Sequence, residues 1–293
     1  MDLKRNIVMN RYSRKKYRSN KIAHFLFAGV TFLSIAILFV IIGDLIRRGG
    51  AYIDWDFFTS FPSRFATKSG ILPALLGSIW IITLTAVISV PIGVGAATFL
   101  EEYAKDSRLM RFIRINISNL AGIPSIVYGI LGLTIFVRTL GLGRSILSGS
   151  LTMALLILPI IIVSAQEAIR TVPDELRQGS YALGATKLQT IRRIVLPGAL
   201  PGILTGIILS VARALGESAP LLLVGAFSYV SSLPEGPMDS FIVLPIQIYS
   251  WTSKPSEDFR NVTAAAILVL IALMIIFNVI AIIIRSKRQN KFE

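Results

Sequence analysis

Six stretches of the chain are long and apolar enough to cross a membrane as helices. They cover approximately residues 22–46, 71–99, 119–137, 146–165, 201–228 and 262–284. A hydrocarbon core about 30 Å thick requires roughly 20 apolar helical residues. The third stretch is rich in glycine and contains Pro124, which membrane helices tolerate better than soluble helices do. We therefore predict an all-α integral membrane protein with six transmembrane helices.

The composition agrees with a membrane protein and excludes several other classes. Only 16% of the residues are charged, against about 25% in soluble domains. A net charge of +14 would suggest nucleic-acid binding in a soluble chain, but here the basic residues lie in tails and loops beside the apolar spans, so we expect no nucleic acid. The chain has no cysteine and a single histidine, His24; we therefore expect neither a metal site nor a cofactor.

The distribution of lysine and arginine predicts the orientation. The N-terminal tail, the C-terminal tail and the loops 100–118 and 166–200 alternate onto one side and hold 21 of the 30 basic residues. Cytoplasmic loops carry the excess of basic residues, so both termini are predicted to be cytoplasmic in a multi-pass protein. Residues 1–21 form a basic cytoplasmic tail, and residues 22–70 form the first span and a periplasmic loop. That span is too long for a cleaved signal peptide.

A charged pair lies inside the fifth apolar stretch. In "ARALGESAPLL" (212–222), Arg213 is near the midpoint of the predicted span, where an arginine costs about 2.5–3.5 kcal/mol to insert. Glu217 follows four residues later, which predicts that both side chains share one helix face and that each holds the other ionised. Two interpretations remain open. The pair locks helix packing, or Arg213 contacts a dehydrated oxyanion with its planar guanidinium while Glu217 orients it.

Two polar residues in the third span are further candidates for the same pathway. Ser125 and Tyr128 follow Pro124 closely in sequence. They either line the path taken by a polar substrate or satisfy backbone groups and hydrogen bonds between helices at the kink.

The loop 166–200 has a helical pattern of its own. Pro173 followed by two acidic residues predicts the start of a helix, and Gly184 predicts its end. A second short helix is predicted over Lys187 to Val195, stopped by Pro197. Two short helices around a glycine would either dock a soluble partner or lie on the membrane surface.

This loop resembles the cytoplasmic "EAA" loop of ABC importer permeases. Gly184, nine residues and then Ile194 to Pro197 match the second half of that pattern, whereas Gln178, Gly179 and Ser180 stand where the family has its E-A-A triplet. The resemblance implies a coupling helix that sits in a groove of an ATPase subunit. The contact residues it implies are Ser180, Ala182, Leu183, Gly184, Ala185, Thr186, Lys187, Gln189 and Pro197.

Three blocks narrow the resemblance. "AGIPSIVYGILGL" (121–133), the stretch 182–226 and "LPIQIYSWTSKPSEDFRNVTAAAILVL" (244–270) together resemble the A-type permeases of bacterial phosphate-specific importers. The resemblance implies a MetI-like permease domain over 71–285, followed by a cytoplasmic tail, 286–293, in a bacterial inner membrane. It also implies these partners: a homologous permease in a heterodimer, a cytoplasmic ATP-binding subunit dimer, a periplasmic phosphate-binding protein, phosphate and the lipid bilayer.

The periplasmic loop 229–261 would meet that binding protein, and we expect its aromatic residues, Tyr249 and Trp251, to lie at the outer membrane interface.

The sequence leaves several other functions open and argues against one. The chain lacks the G-x-x-x-x-G-K-[ST] phosphate loop of ATPases and any set of catalytic side chains, so we expect a transport subunit and not an enzyme. The alternatives are an ABC permease for another oxyanion such as sulfate or molybdate, a proton-coupled secondary transporter that uses Glu217, and a membrane scaffold without transport.

Overall fold

The computed structural model describes residues 11–226 and 229–289, and in these ranges the chain forms helices and connecting loops without a β-strand. The α-helices are α1 (Arg11–Gly49), α2 (Trp55–Thr59), α3 (Leu72–Thr98), α4 (Arg108–Leu120), α5 (Ser125–Gly132), α6 (Ile146–Arg170), α7 (Asp174–Ala182), α8 (Lys187–Thr190), α9 (Leu196–Gly216), α10 (Ala219–Val224), α11 (Leu244–Thr252) and α12 (Glu257–Gln289). Parts of the predicted tails 1–21 and 286–293, and residues 227–228 of the predicted fifth span, lie outside the described residues.

Three π-helical segments extend or join these helices. Phe99–Tyr103 continues α3, Leu133–Thr139 continues α5, and Ile191–Val195 joins α8 to α9. Among the residues that the structure describes, five continuous helical segments are long and apolar enough to cross a membrane: Ser19–Tyr52, Leu72–Tyr103, Ile146–Arg170, Lys187–Gly216 and Glu257–Ile283.

The third predicted span, 119–137, is not one continuous helix. The chain forms a pair of helices, Arg108–Leu120 and Ser125–Thr139, bent by 103°. Pro124 is the cause, because proline disfavours the helical conformation in the residue before it and has no N–H to donate. The expected number of six crossings holds when this bent pair counts as one span.

Helix α6 is the centre of the bundle, and most of its length is buried between α3 and α9. Glycines allow the close approach of its neighbours: Gly93 of α3 faces Ile161, and Gly206 of α9 faces Ser164. Helix α1 stands at the edge and packs on α12, where Gly49 meets the α12 backbone at Ala264 and Ala265. The core is thus centred on α3, α6 and α9, the first half of α12 contributes buried side chains to it, and the apolar part of α1 remains exposed.

The predicted stop at Pro197 is wrong. Helix α8 continues through the π-helical segment Ile191–Val195 into α9, so that Lys187–Gly216 is one helical segment of 30 residues. A π-helical turn shifts the backbone hydrogen-bond register. The missing N–H of Pro197, which lies in the first turn of α9, is therefore accommodated without ending the helix.

The fifth span itself is broken. Helix α9 ends at Gly216, Glu217 has extended backbone (φ −78°, ψ 130°), and α10 starts at Ala219 with Pro220 in its first turn. Helix α10 ends at Gly225, whose φ of +109° is a left-handed conformation that favours glycine. The Arg144 side chain packs against Gly225, so α10 reaches the end of the bundle where α6 begins. We call this end the far end, and the other the α7 end.

The middle of the loop 229–261 folds into the far end, whereas most of residues 231–240 are exposed or half-buried. The side chains of Ile242 and Leu244 are buried, and Gly77 of α3 permits the Ile242 carbonyl to approach its backbone. The expectation that Trp251 anchors an interface is wrong, since its side chain is 1% exposed. Its ring packs between Phe57 and Phe259. Tyr249, by contrast, is exposed as expected.

Candidate functional site

The break between α9 and α10 holds the charged pair. The Nε of Arg213 lies 3.6 Å from Oε1 of Glu217, and the two side chains are 46% and 19% exposed. Arg213 is in the last turn of α9, whereas Glu217 is the first residue beyond it. The shared helix face predicted for the pair is therefore incorrect, although the ion pair itself forms.

The packing of α9 on α6 gives the depth of this pair. The Cα hydrogens of Gly202 and Gly206 face Ala168 and Ser164, so the two helices are antiparallel with a fixed offset. Extended at 1.5 Å per residue, this offset places Arg213 level with roughly Ile157, near the middle of α6. Irregular backbone at such a depth is tolerated where it is buried in protein or lines a watery cavity. Broken helices at mid-membrane are a recurrent way to build transport sites.

The two charges face different surroundings. Glu217 lines a small pocket inside the chain with Ser78 of α3 and Val243 and Pro245 of the buried loop. Arg213 lies on an exposed face of α9. The guanidinium can thus meet a ligand from outside this chain while the carboxylate is held by the bundle.

Tyr128 lies beside the pair, and its hydrogen bond favours a structural role. Its side chain is buried and packs with Ala214 and Leu221 in one apolar cluster, and it is within electrostatic range of Arg213. The hydroxyl donates to the Leu120 carbonyl at 2.8 Å. This bond satisfies a backbone carbonyl at the C-terminal end of α4, next to the Pro124 kink. It agrees with the second interpretation of the sequence, in which Tyr128 satisfies backbone groups at the kink.

Ser125 begins α5 one turn before Tyr128 and is half-buried. Close to it, Gly129 packs on Pro220, which brings the first turns of α5 against the break. The structure therefore gathers the four predicted pathway residues around one discontinuity, and their contact with a substrate stays a prediction.

The predicted coupling residues form an exposed turn between α7 and α8. Gly184 ends α7 with φ +82°, and the hydroxyl oxygens of Ser180 and Thr190 lie 2.9 Å apart across the turn. Thr186 and Gln189 make a reciprocal capping box at the start of α8. Leu183 projects from the tip with 90% of its surface exposed.

The remaining coupling residues divide into two groups. Ala182, Ala185 and Lys187 belong to the same turn, and the Lys187 ammonium lies 5.1 Å from the Tyr103 ring centroid. Pro197 is ten residues beyond Lys187 along one helix, roughly 15 Å away at 1.5 Å per residue. It is therefore separate from the exposed turn.

A cluster of ion pairs at the α7 end was not among the predicted site residues. Glu101 and Glu102 sit in the π-helical end of α3. Glu101 accepts from Arg170 at 2.9 Å and from Gln166 at 2.7 Å, and Glu102 accepts from Arg177 at 3.1 Å. The sequence offers one signal for this cluster, which is the two adjacent acidic residues at the end of an apolar span. Their partners are about 70 residues away, however, and the sequence alone does not pair them. No group of three or more metal-ligating side chains occurs in 11–226 or 229–289.

Known sequences resemble this chain over most of its length. Residues 89–289 match the family described as binding-protein-dependent transport system inner membrane component. The phosphate transport system permease protein PstA 1 of Mycobacterium tuberculosis is 39% identical over 227 residues, which cover 76% of this chain and 72% of that protein. The probable ABC transporter permease protein YqgI of Bacillus subtilis is 35% identical over 72% of this chain and 71% of its own length.

Solved structures share the fold. A bacterial ABC transporter involved in the import of the acidic polysaccharide alginate superposes with a TM-score of 0.65 at 15% identity, covering 95% of this chain and 99% of that one. The inward-facing MetNI methionine ABC transporter gives a TM-score of 0.59 at 19% identity, covering 72% of this chain and 94% of that one. The predicted all-helical ABC permease core is thereby confirmed. With more than half of its length matched, this chain belongs to the family of binding-protein-dependent transport system inner membrane components.

Proposed function

We propose that this chain is the transmembrane permease subunit of an ATP-driven phosphate importer and forms the translocation pathway with a homologous permease. Several relatives of this chain are named phosphate transport system permease proteins, and these names support phosphate as the substrate. The single structural observation that carries the proposal is the Arg213–Glu217 pair at a helix break near mid-depth.

At that break, Arg213 supplies the anion contact. Its guanidinium offers a planar set of N–H donors that matches two phosphate oxygens at once, and it lies on an exposed face of α9 where a second permease would close the pathway. Glu217 holds the guanidinium in place and disfavours fully deprotonated anions by repulsion. Ser125 and Tyr128, in the first turn of α5, border the same break, and Tyr128 holds the end of α4 there through its bond to the Leu120 carbonyl.

The exposed turn with Leu183 at its tip docks into an ATPase subunit. Closure of the ATPase dimer on ATP moves α7 and switches the bundle between its inward- and outward-facing states. In this arrangement the α7 end and both termini are cytoplasmic, and the far end receives phosphate from a periplasmic binding protein. The permease domain spans 71–285, and ATP hydrolysis belongs to the partner ATPase.

The test is uptake of labelled phosphate by the complete complex in proteoliposomes, with sulfate and molybdate as competing substrates. Arg213→Gln removes a charge-assisted contact worth about 1.5–3 kcal/mol, so uptake at low phosphate should fall by roughly 10- to 150-fold. The matched control is Arg138→Gln, which should transport normally. Arg138 is exposed and lies in the last turn of the π-helical segment that continues α5.

Each competing function has its own outcome in this assay. Normal uptake by Arg213→Gln in an assembled complex contradicts the anion contact. Preferred uptake of sulfate or molybdate contradicts phosphate as the substrate. Uptake without ATP that an uncoupler abolishes identifies a proton-coupled transporter acting through Glu217.

A further inference from the structure

Arg177 of α7 bonds to three other parts of the chain at the α7 end. Its Nη1 donates to the Val172 carbonyl at 2.6 Å, and its Nη2 donates to the Ile169 carbonyl at 3.0 Å. The Ile169 carbonyl belongs to the last turn of α6, and the Val172 carbonyl belongs to the short link between α6 and α7. Nε and Nη2 also reach Oε1 of Glu102, at 3.2 and 3.1 Å.

The Arg177–Glu102 contact is largely buried, at the wall of an open pocket between the ends of α3, α6 and α7. The two side chains are 15% and 7% exposed, so solvent screens them little. Arg177 makes a second ion pair with Asp174, at 2.8 Å, but Asp174 is 80% exposed and lies one turn away on α7 itself. Of these two carboxylates, only Glu102 therefore connects α7 to another helix.

The neighbouring acid fixes the same π-helical segment to α6. Oε1 and Oε2 of Glu101 accept two hydrogen bonds from Arg170, both at 2.9 Å, and Gln166 adds a third at 2.7 Å. The end of α3 is thus held to α6 by Glu101 and to α7 by Glu102. A displacement of α7 cannot occur without moving the end of α3 or breaking a buried charge pair.

We propose that Arg177 and Glu102 form a strut that transmits the motion of α7 to α3. The proposal rests on the proposed function, in which α7 is moved by an ATPase. The two residues act as positioning residues, since their side chains are largely buried and bond to other parts of this chain. Helix α3 contributes Ser78 and Ile82 to the pocket that Glu217 lines. Through this helix, the strut connects the exposed turn between α7 and α8, which we call the docking turn, to the proposed substrate site at Arg213 and Glu217.

The test compares Glu102→Gln with Asp174→Asn in the complete complex. Both exchanges replace a carboxylate by an amide on the same guanidinium, but only the first weakens the connection to α3. For Glu102→Gln we expect the phosphate moved per ATP hydrolysed to fall at least fivefold while the ATPase subunits stay bound. For Asp174→Asn the ratio should remain within twofold of the unaltered complex.

Hydrogen exchange supplies a readout independent of transport. The amides of residues 176–181 in α7 should exchange at least tenfold faster in Glu102→Gln and at an unchanged rate in Asp174→Asn. Should Glu102→Gln fail to assemble, Arg177→Lys is measured in the same way, because a lysine ammonium cannot span the two carbonyls and the carboxylate together.

The outcomes separate the strut from the function it serves. An unchanged ratio and unchanged exchange in Glu102→Gln overturn the strut. An unaltered complex that hydrolyses ATP without moving phosphate overturns the proposed function, and the exchange rates then decide the strut alone: faster exchange supports it, and an unchanged rate refutes it.

Discussion

Leu183 offers the sharpest test of the docking turn. It lies at the tip between α7 and α8 with 90% of its surface exposed, so its side chain contributes almost nothing to the packing of this chain. Leu183→Ala should therefore leave the free energy of unfolding within about 0.5 kcal/mol of the original, as exposed substitutions usually do. A loss of binding to the ATPase in this variant would therefore reflect contacts that the ATPase makes with the Leu183 side chain.

The size of that effect follows from the carbons removed. Leucine to alanine deletes three carbons, and each buried CH₂ is worth about 0.8 kcal/mol. If an ATPase groove buries Leu183 fully, the affinity of this site falls by about 2.4 kcal/mol, which is roughly 60-fold. The measurement is a titration of the purified ATPase dimer onto the permease pair in nanodiscs.

Leu140→Ala is the matched control, because Leu140 is also largely exposed but lies at the far end, just before α6 begins. The control should bind the ATPase dimer as the unaltered chain does. An affinity for Leu183→Ala within twofold of the control would show that the tip is not buried by the ATPase and would refute the docking argument.

Two further predictions concern glycines. Gly184→Ala should lower the free energy of unfolding by about 1–2 kcal/mol, because φ is +82° there, whereas Gly179→Ala inside α7 should raise it by up to about 1 kcal/mol. Hydrogen exchange of the α7 amides should therefore become faster in the first variant and slower in the second. A change in the same direction in both variants would contradict the left-handed turn. Gly206→Ala should lower the free energy of unfolding by about 1–3 kcal/mol, because the added methyl group overpacks Ser164. Its control is Gly95→Ala, which has open space at the Cβ position and should not lower the melting temperature in detergent. Equal melting temperatures of the two variants would contradict the close α6–α9 contact.

Local patterns in the sequence are enough to predict the features that depend on local forces. The apolar blocks predict helices because lipid leaves no other partner for their backbone groups. Pro173 and the acids after it predict the start of α7, and Gly184 predicts its end; both agree with the structure. The exposed turn between α7 and α8 and the ion pair between Arg213 and Glu217 agree with the sequence, whereas the docking of that turn stays a prediction.

Other features depend on residues that are distant in sequence. Pro197 carries the same local signal as a helix stop, yet the π-helical segment before it lets the helix continue. Trp251 has the composition of an interface anchor and is buried, because Phe57 and Phe259 arrive from other parts of the chain. Glu102 and Arg177 are 75 positions apart, and no periodicity pairs them.

Hydropathy, proline and glycine act within a few residues, and so the amino-acid sequence is enough to predict a helical membrane protein with a turn at Gly184 and a charge pair in an apolar stretch. The tertiary structure decided where the fifth span breaks and at what depth Arg213 lies. It also decided that Glu217 faces inward and that α7 is tied to α3 by Glu102. These outcomes depend on which helices pack together, and close packing is decided by volume and contact across the whole bundle.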